Sequence, residues 1–204
     1  FNNVVVGTSI QGFGESTETS NDTVVLSSTA SDINVNFASG NDSLSLAKGA
    51  DNATIAASDG NDTVVAALTL ASSSIEAGIG DDSVSVSLLS GSSVKGGSGA
   101  DSINLIKAVS SQVYTNQDSD LITASGDATS STLSGGAGAD SISIGGNVTG
   151  GNIVGNSGAD SITIAGTANT AYVTGGADND SLTLGAVVGG TVGGQYGADT
   201  LSVG

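Results

Sequence analysis

Ten aspartates occupy one position of a repeat: Asp22, Asp42, Asp62, Asp82, Asp101, Asp120, Asp140, Asp160, Asp180 and Asp199. Their successive spacings are 20, 20, 20, 19, 19, 20, 20, 20 and 19 residues, so the register survives along the whole chain. Carboxylates at fixed intervals can act as acids, bases or ligands for hard cations, and the residue types around them decide which. The chain has neither His nor Cys, which removes imidazole and thiolate from both the catalytic and the metal-binding repertoire. Without such a base the many serines lack an activator, so a nucleophilic triad is not expected. Paired carboxylates such as Asp81 with Asp82, or Asp178 with Asp180, are the groups that glycoside hydrolysis uses. They lie inside the repeated turns, however, and Phe37, Tyr114, Tyr172 and Tyr196 fall at different repeat positions, so no aromatic column accompanies them. An enzyme is not expected, and oxygen ligation of a cation is the chemistry that remains.

The elements that would hold these aspartates are legible from the pattern after each one. Two residues on, the chain carries Val24, Leu44, Val64, Val84, Ile103, Ile122, Ile142, Ile162, Leu182 and Leu201. Four residues on, it carries Leu46, Val86, Leu105, Ile144, Ile164 and Leu184, with Ser and Thr between and beside them. Period-two alternation of this kind marks a strand buried on one side. A second apolar column lies seven residues before the next Asp: Val35, Ile55, Ile75, Val94, Val113, Leu133, Ile153, Val173 and Val192. A weaker one falls eight residues after it, at Leu70, Val109, Val148 and Val188. Each period therefore offers two strands and a short third separated by Gly-rich corners, and equal positions of successive periods stack. The expected fold is all-β, a parallel β-solenoid of about ten coils with 19–20 residues each, forming one domain over residues 1–204. Asn3 and Val4, Val5 and Val6 repeat the pattern weakly, and Glu15 and Glu18 break it, so residues 1–21 are expected to be a degenerate, capping first coil.

Composition agrees with a thin, elongated body. Aromatic residues make up 3% of the chain, Gly reaches 32, and 20 acidic residues face 3 basic ones for a net charge of −17. Phosphate recognition needs clustered cations, and Lys48, Lys95 and Lys107 are dispersed, so no nucleic-acid partner is expected. No apolar run is long enough to span a bilayer as a helix. Phe1 reads as a processed or excised start.

In a parallel stack the aspartates approach to the strand spacing of about 4.8 Å. Adjacent unit charges at that distance repel by roughly 1 kcal/mol in water and about 3.5 kcal/mol at an effective dielectric of 20. Three lysines do not neutralise ten carboxylates. Calcium does, because it takes six to eight oxygens, accepts backbone carbonyls and suits turns in which glycine lets carbonyls converge. Such turns stand before the aspartates: Gly96, Gly97, Ser98, Gly99, Ala100 and then Asp101; Gly135, Gly136, Ala137, Gly138, Ala139 and then Asp140. Both read GGxGxDxUx, with U a bulky apolar residue, and resemble the calcium-binding nonapeptide of RTX (repeats-in-toxin) proteins. The match is graded, since the turns before Asp160, Asp180 and Asp199 each lose one Gly, those before Asp42 and Asp62 keep one, and that before Asp120 has none. One nonapeptide per coil is more similar to the solenoids of large RTX surface adhesins, which implies a single row of Ca2+ with the ten aspartates as side-chain ligands.

That resemblance implies a secreted, extracellular or cell-surface location and a structural role as a stiff rod in a surface layer, adhesin, filament or fibre. A ligand-binding face for carbohydrate or ice, or an accessory module of a secreted enzyme, is the alternative. Three residues before each Asp the chain carries Thr19, Ser39, Asp59, Ile79, Ser98, Gln117, Ala137, Ser157, Ala177 and Tyr196, which is no threonine array, so ice binding is disfavoured. Self-association end to end is expected, because Asn3, Val4, Val5 and Val6 mimic Asp22, Thr23, Val24 and Val25 and a solenoid end exposes unpaired backbone.

Overall fold

A computed structural model describes residues 19–204, so most of the expected first coil lies outside the described residues. What it describes is a parallel β-solenoid of about nine turns, with all strand pairs in parallel register. Each turn places the strand after the Asp in one sheet, as in Ser43–Leu46, Ser141–Ile144 and Thr200–Val203. A short third strand, such as Ala128–Thr129 or Val148–Thr149, joins that same sheet, giving it 14 strands. The strand before the next Asp, from Asn34–Asn36 through to Thr191–Tyr196, forms the facing sheet of nine.

The predicted columns stack residue on residue. Ile122 pairs with Ile142, Ile142 with Ile162 and Ile162 with Leu182. On the facing sheet Val113 pairs with Leu133, Leu133 with Ile153 and Ile153 with Val173. These side chains are essentially inaccessible and meet across the narrow interior as one continuous core. Because each apolar residue touches its counterparts above and below, the hydrophobic effect is delivered coil by coil rather than by one central cluster.

The third column needs correction. Leu70 and Val148 do point inward, but Val109 is half-buried and Val188 is exposed. In the coils of 19 residues the inward place passes to Leu89 and Ala108, one position earlier. The register explains it: Ala66 pairs with Val86, yet the next paired residues are Thr69 and Leu88, so the missing residue is lost at the corner between the two strands. A slip of one residue exchanges the two faces of a strand.

Candidate metal column

The turns that lead into the aspartates from Asp62 to Asp199 place two residues in the left-handed region, at four and two positions before the Asp. Glycine meets this at Gly136 (φ 125°) and Gly138 (φ 131°). Room matters as much as φ, since a Cβ on Gly138 would collide with the carbonyl of Asp118 in the coil before. Where glycine is absent, Ser58 (φ 84°), Asn156 (φ 85°), Asp178 (φ 79°) and Gln195 (φ 87°) take its place, and before Asp120 Asn116 has φ 80° and Asp118 φ 74°. Both tolerate this region better than other side chains do. The glycine-free turn before Asp120 therefore follows the same backbone path as its neighbours.

The structure brings all ten predicted aspartates into one row. Asp42, Asp62, Asp82, Asp101, Asp120, Asp140, Asp160 and Asp180 are buried, at 2–4% exposure, whereas Asp22 and Asp199 are half-buried. From Asp42 to Asp199, Oδ1 accepts the backbone N–H of the aspartate one coil earlier: Asp120 donates to Asp140 at 2.9 Å, Asp140 to Asp160 at 2.8 Å, and Asp160 to Asp180 at 2.8 Å. The same bond runs from Asp22 to Asp42 at one end and from Asp180 to Asp199 at the other. The second oxygen has no such partner. Oδ2 of Asp62, Asp82, Asp101, Asp120, Asp140, Asp160 and Asp180 is buried without a hydrogen bond.

Burial is the main reason these carboxyls resist ionisation. It pushes Asp101 and Asp160 up to about 7, and Asp62, Asp82 and Asp120 up to about 6. Asp42, Asp140 and Asp180 move in the same direction for the same reason. The amide of the preceding aspartate opposes the rise, and neighbouring carboxylates add to it at most of these positions. Repulsion along the row, which the sequence made the leading cost, thus ranks below desolvation.

Two features escaped the sequence reading. The first is the residue five before each Asp, whose backbone lies against the orphan oxygen. A Cβ on Gly96, Gly135, Gly155 or Gly175 would overlap Oδ2 of Asp101, Asp140, Asp160 or Asp180. Before Asp42, Asp62, Asp82 and Asp120 this place holds Phe37, Ala57, Ala77 and Thr115, all buried. The second is a ladder of buried serines on the far corner. Ser73, Ser92 and Ser111 each donate their N–H to the hydroxyl of the serine one coil on, ending at Ser131, at 3.0–3.2 Å. Ser73, Ser92, Ser111 and Ser131 each also donate that hydroxyl to the carbonyl two residues back. Their spacing of 19, 19 and 20 residues was the available signal.

Whether a hard cation fits is decided by these oxygens. Among the described residues no three Asp or Glu side chains converge on one point, so a cage of carboxylates is absent. Seven coils instead each supply one buried carboxylate oxygen without a partner, and backbone carbonyls of the turn are the remaining donors. That donor set suits Ca2+, which accepts carbonyls beside few carboxylates, better than a transition metal.

Fold and row together define a parallel β-solenoid with an internal column of acidic side chains. A solved structure with the same architecture is a hyperactive, Ca2+-dependent, beta-helical antifreeze protein from an Antarctic bacterium. The two superpose with a TM-score of 0.73 over 98% of this chain and 72% of that one, at 24% sequence identity. No family profile matches the chain, and no curated protein matches it.

Proposed function

We propose that this chain is a structural, calcium-stabilised solenoid of the extracellular space, a rigid building block of a surface layer, adhesin, filament or fibre. The observation that carries this reading is the row of seven buried Oδ2 atoms without partners. An ionised carboxylate sealed from water in that way costs several kcal/mol unless a proton or a cation satisfies it. Calcium held between a carboxylate and the turn carbonyls of consecutive coils satisfies the orphan Oδ2 and offsets the negative charge of the row. Asp22, Asp42, Asp62, Asp82, Asp101, Asp120, Asp140, Asp160, Asp180 and Asp199 are the side-chain ligands in this reading. The RTX-like turns and the Ca2+ dependence of the solved solenoid support it. Cytosolic calcium lies far below extracellular levels, so the chain would fold after export.

The test is circular dichroism with thermal melting in millimolar Ca2+ and in excess EGTA at neutral pH. Calcium should raise the midpoint cooperatively, and chelation should abolish the β-signal at temperatures where the loaded protein is folded. An equally stable β-structure in EGTA would sink the calcium reading.

A second reading, an ice-binding face, gains support from a surface away from the Asp turns. One and three residues after each of the last four aspartates, outward Ser and Thr stack in register: Ser141, Ser161, Ser181 and Thr200 in one column, Ser143, Thr163, Thr183 and Ser202 in the next. This face is distinct from the column three before each Asp, which carries no such array. Ice-recrystallisation inhibition that disappears in Ser161→Lys would establish it, and inactivity of the folded protein would remove it.

A further inference from the structure

Near one end of the nine-stranded sheet the outward surface is hollowed into an open trough of about 470 Å3, lined entirely by uncharged residues. Tyr172 stands on one side of it, and Tyr196, 76% exposed, on the other. Gln195 Nε2 donates to the Tyr172 hydroxyl at 2.6 Å, which ties the two strands' side chains together across the trough. Asn156 is held from behind, its Nδ2 donating to Ser134 Oγ at 2.8 Å. The hollow exists because Gly193, which pairs with Thr174, carries no side chain and a Cβ there would meet only open space.

Thr174 makes this more than a surface irregularity. It lines the trough, is 3% exposed, and its Oγ1 has no hydrogen-bond partner. A buried hydroxyl without a partner costs about 1–3 kcal/mol, so its persistence points to a partner supplied from outside. The calcium reading does not use it, since the trough lies on the outward face of the sheet and the orphan carboxylate oxygens face the interior.

We propose that this trough binds a neutral sugar, a pyranose unit of a polysaccharide or glycan. The chemistry suits that class. Exposed tyrosine rings offer flat apolar surface for the C–H face of a pyranose, while Thr174 Oγ1, Gln195 and Asn156 offer uncharged donors and acceptors for its hydroxyls. No cation is present to hold a phosphate or carboxylate, and no deep apolar cavity to hold a lipid. The volume falls within the roughly 300–1,000 Å3 of small-molecule sites.

The experiment is an amide-shift titration of the uniformly 15N-labelled full chain, in a buffer where circular dichroism shows intact β-structure, so that the result stands apart from the need for calcium. The probes are the methyl glycosides and linear tetrasaccharides of glucose, galactose, mannose and N-acetylglucosamine. At least one should shift residues 174–177 and 193–196 saturably by about 10 mM, where even a millimolar site fills. Tyr196→Ala should weaken that binding about tenfold or more. Thr174→Val should also weaken it while leaving the melting temperature unchanged or higher, because an orphan hydroxyl has been removed. The absence of a saturable shift at those residues with every probe, or wild-type affinity in either variant, overturns the proposal.

Discussion

At the scale of single residues, each Asp of the row has two oxygens with different tasks. Oδ1 is committed to the backbone of the coil before, and Oδ2 is left for a proton or a cation. This makes the metal-free protein sensitive to pH in a definite direction. The folded-state values of Asp101 and Asp160 are raised from 3.8 to about 7, and those of Asp62, Asp82 and Asp120 to about 6. A raised carboxyl favours folding while protonated, so its contribution is complete below the ordinary value and disappears as pH climbs through the folded one. In EGTA, melting temperature should therefore fall between about pH 4 and pH 7, whereas millimolar Ca2+ should flatten the curve. A melting temperature independent of pH in chelator would contradict this account. The two oxygens also predict unequal sites. Asp140→Asn should clearly raise the calcium concentration at the midpoint of a titration followed by circular dichroism, because Gly135 leaves its Oδ2 free of side-chain crowding. Asp120→Asn should matter less, since buried Thr115 occupies that place in its coil. Equal shifts in the two variants would refute the ranking.

At the scale of elements, corners decide what strands cannot. Gly135 sits where any Cβ would overlap the Asp140 carboxyl, whereas Ala57 occupies the equivalent place before Asp62. Gly135→Ala should accordingly cost about 1–3 kcal/mol in urea unfolding of the calcium-loaded protein, as overpacking does, and weaken calcium binding. Ala57→Gly should bind calcium more tightly, although it gives up some chain stiffness. A neutral Gly135→Ala would show that the corner relaxes freely. Legibility of the fold in the sequence follows the same division. The Asp row, the apolar positions two and four residues beyond it and the column seven before it were all readable, because burial imposes residue type at strict intervals. The inward shift from Val109 to Ala108 was not, because one residue lost at a corner changes the register without changing composition. Nor was the task of Oδ1, since the direction of a hydrogen bond leaves no mark on residue type. The four serines did leave one, but serine is so frequent on the outward faces that an inward column of it is hidden.

At the scale of the whole molecule, coils contribute nearly equal units of core and hydrogen bonding, so they behave as interchangeable layers. Deleting residues 141–160 joins Asp140 to Ser161, which is already the in-register partner of Ser141. The shortened chain should fold with the same circular dichroism per residue and with one calcium fewer by calorimetric titration. Deleting residues 141–150 alone should unfold the neighbouring coils, because half a period sets apolar positions against corners. If both deletions behave alike, the layers are not independent units.

Beside the Asp ladder runs a second, interrupted one, from the residue before the Asp, and it points the other way. Asn41 donates its N–H back to Asn21 Oδ1, Asn61 to Asn41 Oδ1, and Ala198 to Asn179 Oδ1. The two surfaces of a layer with Asn in that place are therefore different and complementary. One offers an aspartate amide with a carboxamide oxygen beside it, and the other offers a carboxylate oxygen with an amide beside it. Two unlike surfaces mesh through the same bonds that join one coil to the next. The stack consequently has a direction, as an arrow does, and two of these bodies that meet through unlike layer surfaces join with arrows aligned. A thread assembled through that head-to-tail contact would be polar from one tip to the other.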